Sequence, residues 1–388
     1  MTAAALAFWL AAALLAYTWI AYPLLLKVLA CARRPVRTRP PARPRLSVIV
    51  AAFNEARWIL AKIDGTLAQR YPARRLEVIV VSDGSTDGTD ALVACHRDPR
   101  VRLIRQEPRA GKSLALNRGV AAARGDVLVF TDANALFAPD ALARVAAPFA
   151  DPRVGMVSGQ GLYTAAGGDA RAVAGGYVRY EALIRAGESA LGFQASADGA
   201  IYALRRELYR DLAATEVNDL LHPIQAALAG FVSRFEPAAC TVEPPSSDGG
   251  QEFRRHVRIV AQGMHLLRRW LPRLVAGRRW GAVWMLLSHR ALRWTTAPAL
   301  AVLLTANLSL LEHGGLYAAA LGAQAAFYAL ALTGWMAEGA GRGLGRLAVP
   351  YYFCLVTAAG VAGFGRFLRG GAQAVWAPAG AGVAERAA

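Results

Sequence analysis

The chain has 388 residues, of which 55% are hydrophobic and 18% charged, with a formal net charge of +17. That balance is too apolar for an ordinary soluble protein. Its basic excess flanks apolar segments, which argues against a nucleic-acid surface, and the four scattered cysteines, with no CxxC pair, suggest neither a zinc site nor a disulfide framework.

Met1 to Leu26 contains no charged residue, enough to cross a hydrocarbon core that takes about 20 residues. A cleaved signal peptide would instead show a basic start and a shorter apolar centre. Positive charge follows the run at Lys27, Arg33, Arg34, Arg37, Arg39, Arg43 and Arg45, so Met1 is expected outside and the next segment in the cytosol. We therefore expect residues 1–30 to be a membrane anchor and 31–45 a Pro/Arg-rich extended tether.

Residues 46–250 are long enough for one domain with a full core. Strand signals at Leu46–Ala52, Leu76–Ser82, Val101–Arg105 and Val127–Thr131 alternate with helix signals at Glu55–Gln69, Thr86–Cys95, Lys112–Ala123 and Pro139–Phe149. Repeated βα units with apolar strands predict an α/β fold with a parallel sheet covered by helices. After Asp151 the alternation is irregular, with strand-like Val154–Val157 and Ala200–Leu204 and helix-like Val173–Ala186. Residues 251–294 mix arginines with Leu266, Leu267, Trp270, Leu271 and Leu274 at the spacing of amphipathic helices on a membrane surface. Ordinary core helices with a solvated basic face would read the same way. Residues 295–370 hold three more apolar segments, about Thr295–Leu311, Leu316–Met336 and Leu347–Phe367, before a tail at 371–388. With the anchor, that predicts four spans.

Two strand-like runs end in an aspartate, Asp83 in VIVVSDGSTDGT and Asp132 in VLVFTDAN. Strand carboxyl ends are where an α/β sheet presents its ligand site. Asp83 is placed to accept from a base N–H, although DGSTD also serves as a plain βα turn with N-cap residues. Asn54-Glu55 ends the first strand and faces the same crevice, with Asn54 as a simple N-cap the alternative. Arg109-Ala110-Gly111-Lys112 opens a helix whose backbone N–H groups and lysine suit a diphosphate, with a solvated Lys112 the alternative. Asp132 with Asn134 offers hard oxygen donors to a divalent metal that bridges two phosphates.

In the series SVIVAAFNE, VIVVSDGSTDGT, RAGKSLALNRG and VLVFTDAN, the chain resembles the inverting, membrane-integrated glycosyltransferases of family 2, the group of cellulose, hyaluronan and poly-N-acetylglucosamine synthases. The resemblance implies a GT-A-type, Rossmann-like cytosolic domain with flanking transmembrane helices. It implies donor binding by Asn54, Glu55, Asp83, Lys112 and Asp132, and a metal (Mg or Mn) held at Asp132, where Asn134 replaces the second Asp of the usual DxD. A catalytic base is implied in Thr215-Glu216-Val217-Asn218-Asp219: Asp219, with Glu216 the second candidate and a helix N-cap the structural alternative. Gln251-Glu252-Phe253-Arg254-Arg255 matches the family's QxxRW at Gln251 and Arg254, implied donor contacts, while Arg255 stands for the tryptophan. Asp198 lies where the family has an acceptor-side loop.

The expected function is a multi-pass enzyme of the bacterial inner membrane. It would transfer a sugar from a nucleotide-sugar donor, UDP-linked by expectation, to a polysaccharide or lipid-linked acceptor, with an export partner where the product leaves the cell. The other class is a non-catalytic membrane partner that binds nucleotide and regulates a synthase.

Overall fold

The computed structural model describes residues 2–33, 41–163, 176–244 and 249–370. Residues 34–40 of the tether, the start of the Val173–Ala186 helix and the tail at 371–388 lie outside the described residues. The described residues divide into two compact units: residues 26–33, 41–163, 176–244 and 266–285 form one, and residues 2–25, 249–265 and 286–370 the other.

The first unit is built on an eight-stranded sheet: β1 Leu46–Ala52, β2 Leu76–Asp83, β3 Val101–Gln106, β4 Val127–Asp132, β5 Leu136–Phe137, β6 Val154–Tyr163, β7 Tyr202–Arg205 and β8 Val232–Glu243, in the order β3-β2-β1-β4-β7-β6-β8-β5. The βα alternation predicts the half from β3 to β4, which is parallel throughout. Every residue of β1 is buried, as expected of a central strand covered on both faces. Beyond β4, where the alternation turns irregular, the sheet is mixed: β7 runs antiparallel to both β4 and β6, and β8 parallel to β6. Val48, Val50, Val78, Val80, Val127 and Val129 form the centre of the core with Ile59 and Ile63 of the helix Ile59–Leu67. Since β1, β2 and β4 are parallel neighbours, the ends after Ala52, Asp83 and Asp132 open on one edge of the sheet.

The second unit is helical. Ala3–Cys31, Gly315–Gly339 and Gly345–Leu368 are long and apolar enough to cross a membrane. The expected span at Thr295–Leu311 is corrected: its helix covers Thr296–Leu308 and, at about 1.5 Å per residue, falls well short of a hydrocarbon core of about 30 Å. Phe8 packs edge-on against Tyr317 at 5.0 Å between ring centroids, beside Ala5, Ala306 and Leu310. Gly363 lets two helices approach closely, since a Cβ there would lie 2.7 Å from Val260 Cβ. Leu6, Leu10, Leu332, Trp335, Val361 and Phe364 stay exposed, as side chains facing lipid would be.

Candidate active site

The end of β1 is latched to the loop after β2. Asn54 sits at φ 56°, a left-handed position that asparagine tolerates. The backbone N–H groups of Asn54, Glu55 and Ala56 donate to Ser85 Oγ (3.1 Å), Thr89 Oγ1 (2.9 Å) and Asp87 Oδ2 (2.9 Å). Asn54 Oδ1 in turn accepts from the Thr86 N–H at 2.8 Å. With these groups committed across the cleft, the helix after β1 runs Ile59–Leu67 rather than from Glu55, and Asn54 does not cap it. The same loop delays the next helix to Thr89–Ala94, because Asp87 Oδ1 accepts from the Thr89 N–H at 3.0 Å.

Asp83 is fully buried. Its carboxylate accepts from Gln106 Nε2 (2.7 Å), the Ala110 N–H (2.8 Å) and the Gly111 N–H (2.9 Å). The Ala110 and Gly111 N–H groups leading into the helix Lys112–Ala122 thus serve Asp83, and Asp83 holds the Arg109–Gly111 loop. Gly84 makes the close approach possible: its φ is +70° and a Cβ there would lie 3.1 Å from Arg109 Cβ. The Arg109 guanidinium lies over the Phe53 ring, 3.4 Å from its centroid.

Lys112 Nζ donates to Asp132 Oδ1, so the loop held by Asp83 delivers a cation to the end of β4. Glu55 lies in the field of the same carboxylate: burial, then the charges of Asp132 and Asp87, push it up to about 7. Asp219 faces Asp132 across Gly199, where a Cβ would lie 3.4 Å from Asp219 Oδ2 and 4.0 Å from Asp132 Oδ2. The candidate base and the candidate metal ligand thus border one small space, with a residue lacking a side chain between them.

Asp219 is the second residue of the helix Asn218–Leu228, which the sequence reading did not assign. Pro223 inside that helix has no N–H for the carbonyl four residues earlier, that of Asp219. The Asp219 carbonyl accepts instead from the Ala197 N–H at 2.7 Å, which fastens the loop carrying Gly199 beside the Asp219 carboxylate. The helix start is held from below, where Asn218 Nδ2 donates to Tyr202 Oη (2.6 Å), itself 2.9 Å from His222 Nδ1. Burial takes His222 down to about 3, so it is neutral and belongs to the core.

Glu216, the second base candidate, is committed elsewhere: Oε1 accepts from Trp270 Nε1 (3.0 Å) and pairs with Arg269 (3.3 Å), and Oε2 accepts from the Ala213 N–H (2.9 Å). Asp198 is held likewise, by Arg185 (2.8 Å) and the N–H groups of Gly161 (3.0 Å) and Ala200 (3.2 Å). Burial pushes its carboxyl up, but Arg185 and the N–H groups outweigh that and hold it below the usual range. Its carboxylate therefore shapes the 197–200 loop.

Asn134 is half-buried just past β4. Among the described residues no three His, Cys, Asp or Glu side chains cluster as a complete metal site. The donors present, Asp132 Oδ2 and the Asn134 amide oxygen, fit an ion that takes its other ligands from substrate phosphates and water, the usual manner of Mg²⁺. Gln251 and Arg254 lie at the start of the helix Gly249–Ala276, in the helical unit, where Arg255 pairs with Glu252 at 3.5 Å.

Sequence reading missed Lys62, which lies buried beneath the end of β4. Its signal was position, since Ile59, Lys62, Ile63 and Thr66 fall on one face of the helix Ile59–Leu67 and all are buried. Burial takes the Lys62 ammonium down to about 7, against the opposing charges of Asp132 and Glu243.

Residues 47–212 match the family described as Glycosyl transferase family 2. The succinoglycan biosynthesis protein ExoO of Rhizobium meliloti (strain 1021) is 42% identical over 109 residues, 27% of this chain and 31% of that protein. An N-acetylglucosaminyltransferase of the same organism is 37% identical over 136 residues, 34% of this chain and 31% of that protein. The chain thus spans about a third of the length of these relatives. Among solved structures, the mannosyltransferase PcManGT from Pyrobaculum calidifontis, in complex with GDP-Man and Mn²⁺, is similar at a TM-score of 0.69 and 27% identity, over 93% of this chain and 99% of that one. The chain therefore carries a glycosyltransferase family 2 domain of GT-A-like fold in residues 47–212.

Proposed function

We propose that this chain is a membrane-bound inverting glycosyltransferase that moves a sugar from a nucleotide-sugar donor to a hydroxyl of a glycan or lipid-linked acceptor. The observation that carries the reading is the pair of carboxylates, Asp219 and Asp132, bordering Gly199 with Lys112 beside them. In the reaction the acceptor oxygen forms a bond to the anomeric carbon while Asp219 takes its proton. The bond from that carbon to the phosphate oxygen breaks on the opposite face, and the nucleoside diphosphate leaves with the electron pair. Lys112 spends one N–H on Asp132, and the other two are donors for the phosphates as charge grows there. Asn54 and Glu55 wall the donor side, and Asp83 acts by holding the Arg109–Gly111 loop.

A divalent cation held by Asp132 and Asn134 would supply charge neutralisation on the diphosphate. The bound Mn²⁺ of the similar mannosyltransferase supports that assignment, and its GDP-Man widens the donor class beyond UDP-sugars. Three helices of spanning length support an integral membrane enzyme, with the basic segment after the first helix favouring a cytosolic catalytic domain. Where the product is a polymer, we assign its export to a partner.

Asp219→Asn tests the assignment of the base. Loss of the proton acceptor is expected to lower transfer by about 100-fold or more while nucleotide-sugar binding stays within a few-fold of the parent. Normal turnover in this variant would remove Asp219 from the mechanism.

A further inference from the structure

We propose that Lys62 is a positioning residue of the transfer reaction: from inside the core it fixes the loop after β4 that carries Asp132 and Asn134 and, through Thr131, the loop that carries Gly199. This inference deepens the proposed transferase reading and rests on it.

Only 1% of Lys62 is exposed. Its ammonium donates to Thr131 Oγ1 (2.7 Å) and to the Ala135 carbonyl, and lies over the Phe137 ring at 3.5 Å from the centroid. Those partners bracket the segment Asp132-Ala133-Asn134 on both sides, so a single cation fixes both ends of the loop. Thr131 passes the restraint on: its hydroxyl accepts from Lys62 and donates its own proton to the Ala200 carbonyl at 2.6 Å. Ala200 closes the loop Ala197–Ala200, whose other end is fastened to the Asp219 carbonyl. One buried side chain thereby sets both sides of the space bordered by Asp132 and Asp219.

Stability alone gives no reason to keep a lysine there, because a buried charge is costly to desolvate and an apolar side chain of similar length often serves as well. Placement of the loop does. The restraint reaches Asp132 through the backbone, which distinguishes Lys62 from Lys112, a direct partner of the carboxylate.

The sign of one measurement separates positioning from simple charge. If Lys62 were only a positive charge near Asp132, its removal would tighten cation binding. If it holds the loop, removal loosens the donors and weakens cation binding. The test uses the purified full chain with Mn²⁺ and a nucleoside diphosphate, with bound metal read from the loss of the free Mn²⁺ electron paramagnetic resonance signal, alongside kcat and donor KM.

Lys62→Met is expected to weaken Mn²⁺ binding about tenfold and to lower kcat at least tenfold, with donor KM changed less than threefold. Thr131→Val, which severs the same relay without removing a charge, should repeat the effect, and Thr131→Ser, which keeps the hydroxyl, should restore it. Should Lys62→Met fail to fold by thermal melting, the Thr131 pair decides. Unchanged or tighter Mn²⁺ binding in the folded Lys62→Met protein overturns the proposal, as does normal turnover in Thr131→Val. A parent chain that binds no Mn²⁺ with nucleotide would instead overturn the transferase reading beneath it.

Discussion

Few side chains at the strand ends act as simple contacts; most hold one another. Asp83, Asn54, Asp87 and Asp198 each spend their oxygens on backbone N–H groups of neighbouring loops. Asp132, Asp219, Lys112 and Glu55 form the group to which the proposed chemistry is assigned. Glu55 gives this group a pH signature. Its pKa is about 7 in the folded chain against an ordinary value of 4.5, because burial and then Asp132 and Asp87 disfavour its charge. The folded state therefore holds the extra proton between those values, so stability is fully present below about 4.5 and declines as pH rises to about 7. Solvent screening limits the change to the order of 1 to 3 kcal/mol. Chemical unfolding of the parent and of Glu55→Gln across pH 5 to 8 should show a decline in the parent that is flattened in the variant. Parallel curves would place the titration elsewhere.

At the scale of elements, the loop Ala213–Asn218 leads into Asp219 and is secured by the helix Gly249–Ala276 through Trp270, Arg269 and Glu216. Trp270→Phe removes one N–H from a carboxylate, a bond worth about 1.5 to 3 kcal/mol. Amide hydrogen exchange in residues 213–218 is expected to rise at least fivefold, and turnover to fall with it. Unchanged exchange there would show the contact to be incidental. The four parallel strands were legible because each is a short apolar run with a polar end, and β1 was placed to the residue. Strand β8 was not, because Pro237 falls within it. The register there slips between Phe235 opposite Ser158 and Cys240 opposite Gln160, an irregularity of the kind that admits proline in a strand. The helix Asn218–Leu228 was hidden by Pro223 for the same reason, although that proline is what frees the Asp219 carbonyl for Ala197. Helix starts were misplaced where side chains of a distant loop capture backbone N–H groups, as at Asn54 to Ala56, since no local pattern encodes a partner about 30 residues away. Of the candidate site, Asp132, Lys112 and Asp219 were named from sequence, whereas the role of Lys62 emerges only when its helix meets the loop after β4.

On the scale of the whole molecule, one unit carries the family 2 domain and the other the helices of spanning length, and the chain matches its curated relatives over about a third of their length. The exposed apolar side chains on those helices suit a lipid surround, so the full chain in lipid nanodiscs is the proper object for assay. The most direct test of the account presents that preparation with UDP- and GDP-linked sugars and measures release of nucleoside diphosphate with Mn²⁺, with Mg²⁺ and with chelator. The expected result is release from at least one donor that requires the metal and yields a product of inverted anomeric configuration. Tight binding of a nucleotide-sugar with no release of nucleoside diphosphate, in the presence of metal and a membrane lipid or glycan acceptor, would contradict it and identify the chain as a binding partner instead of an enzyme.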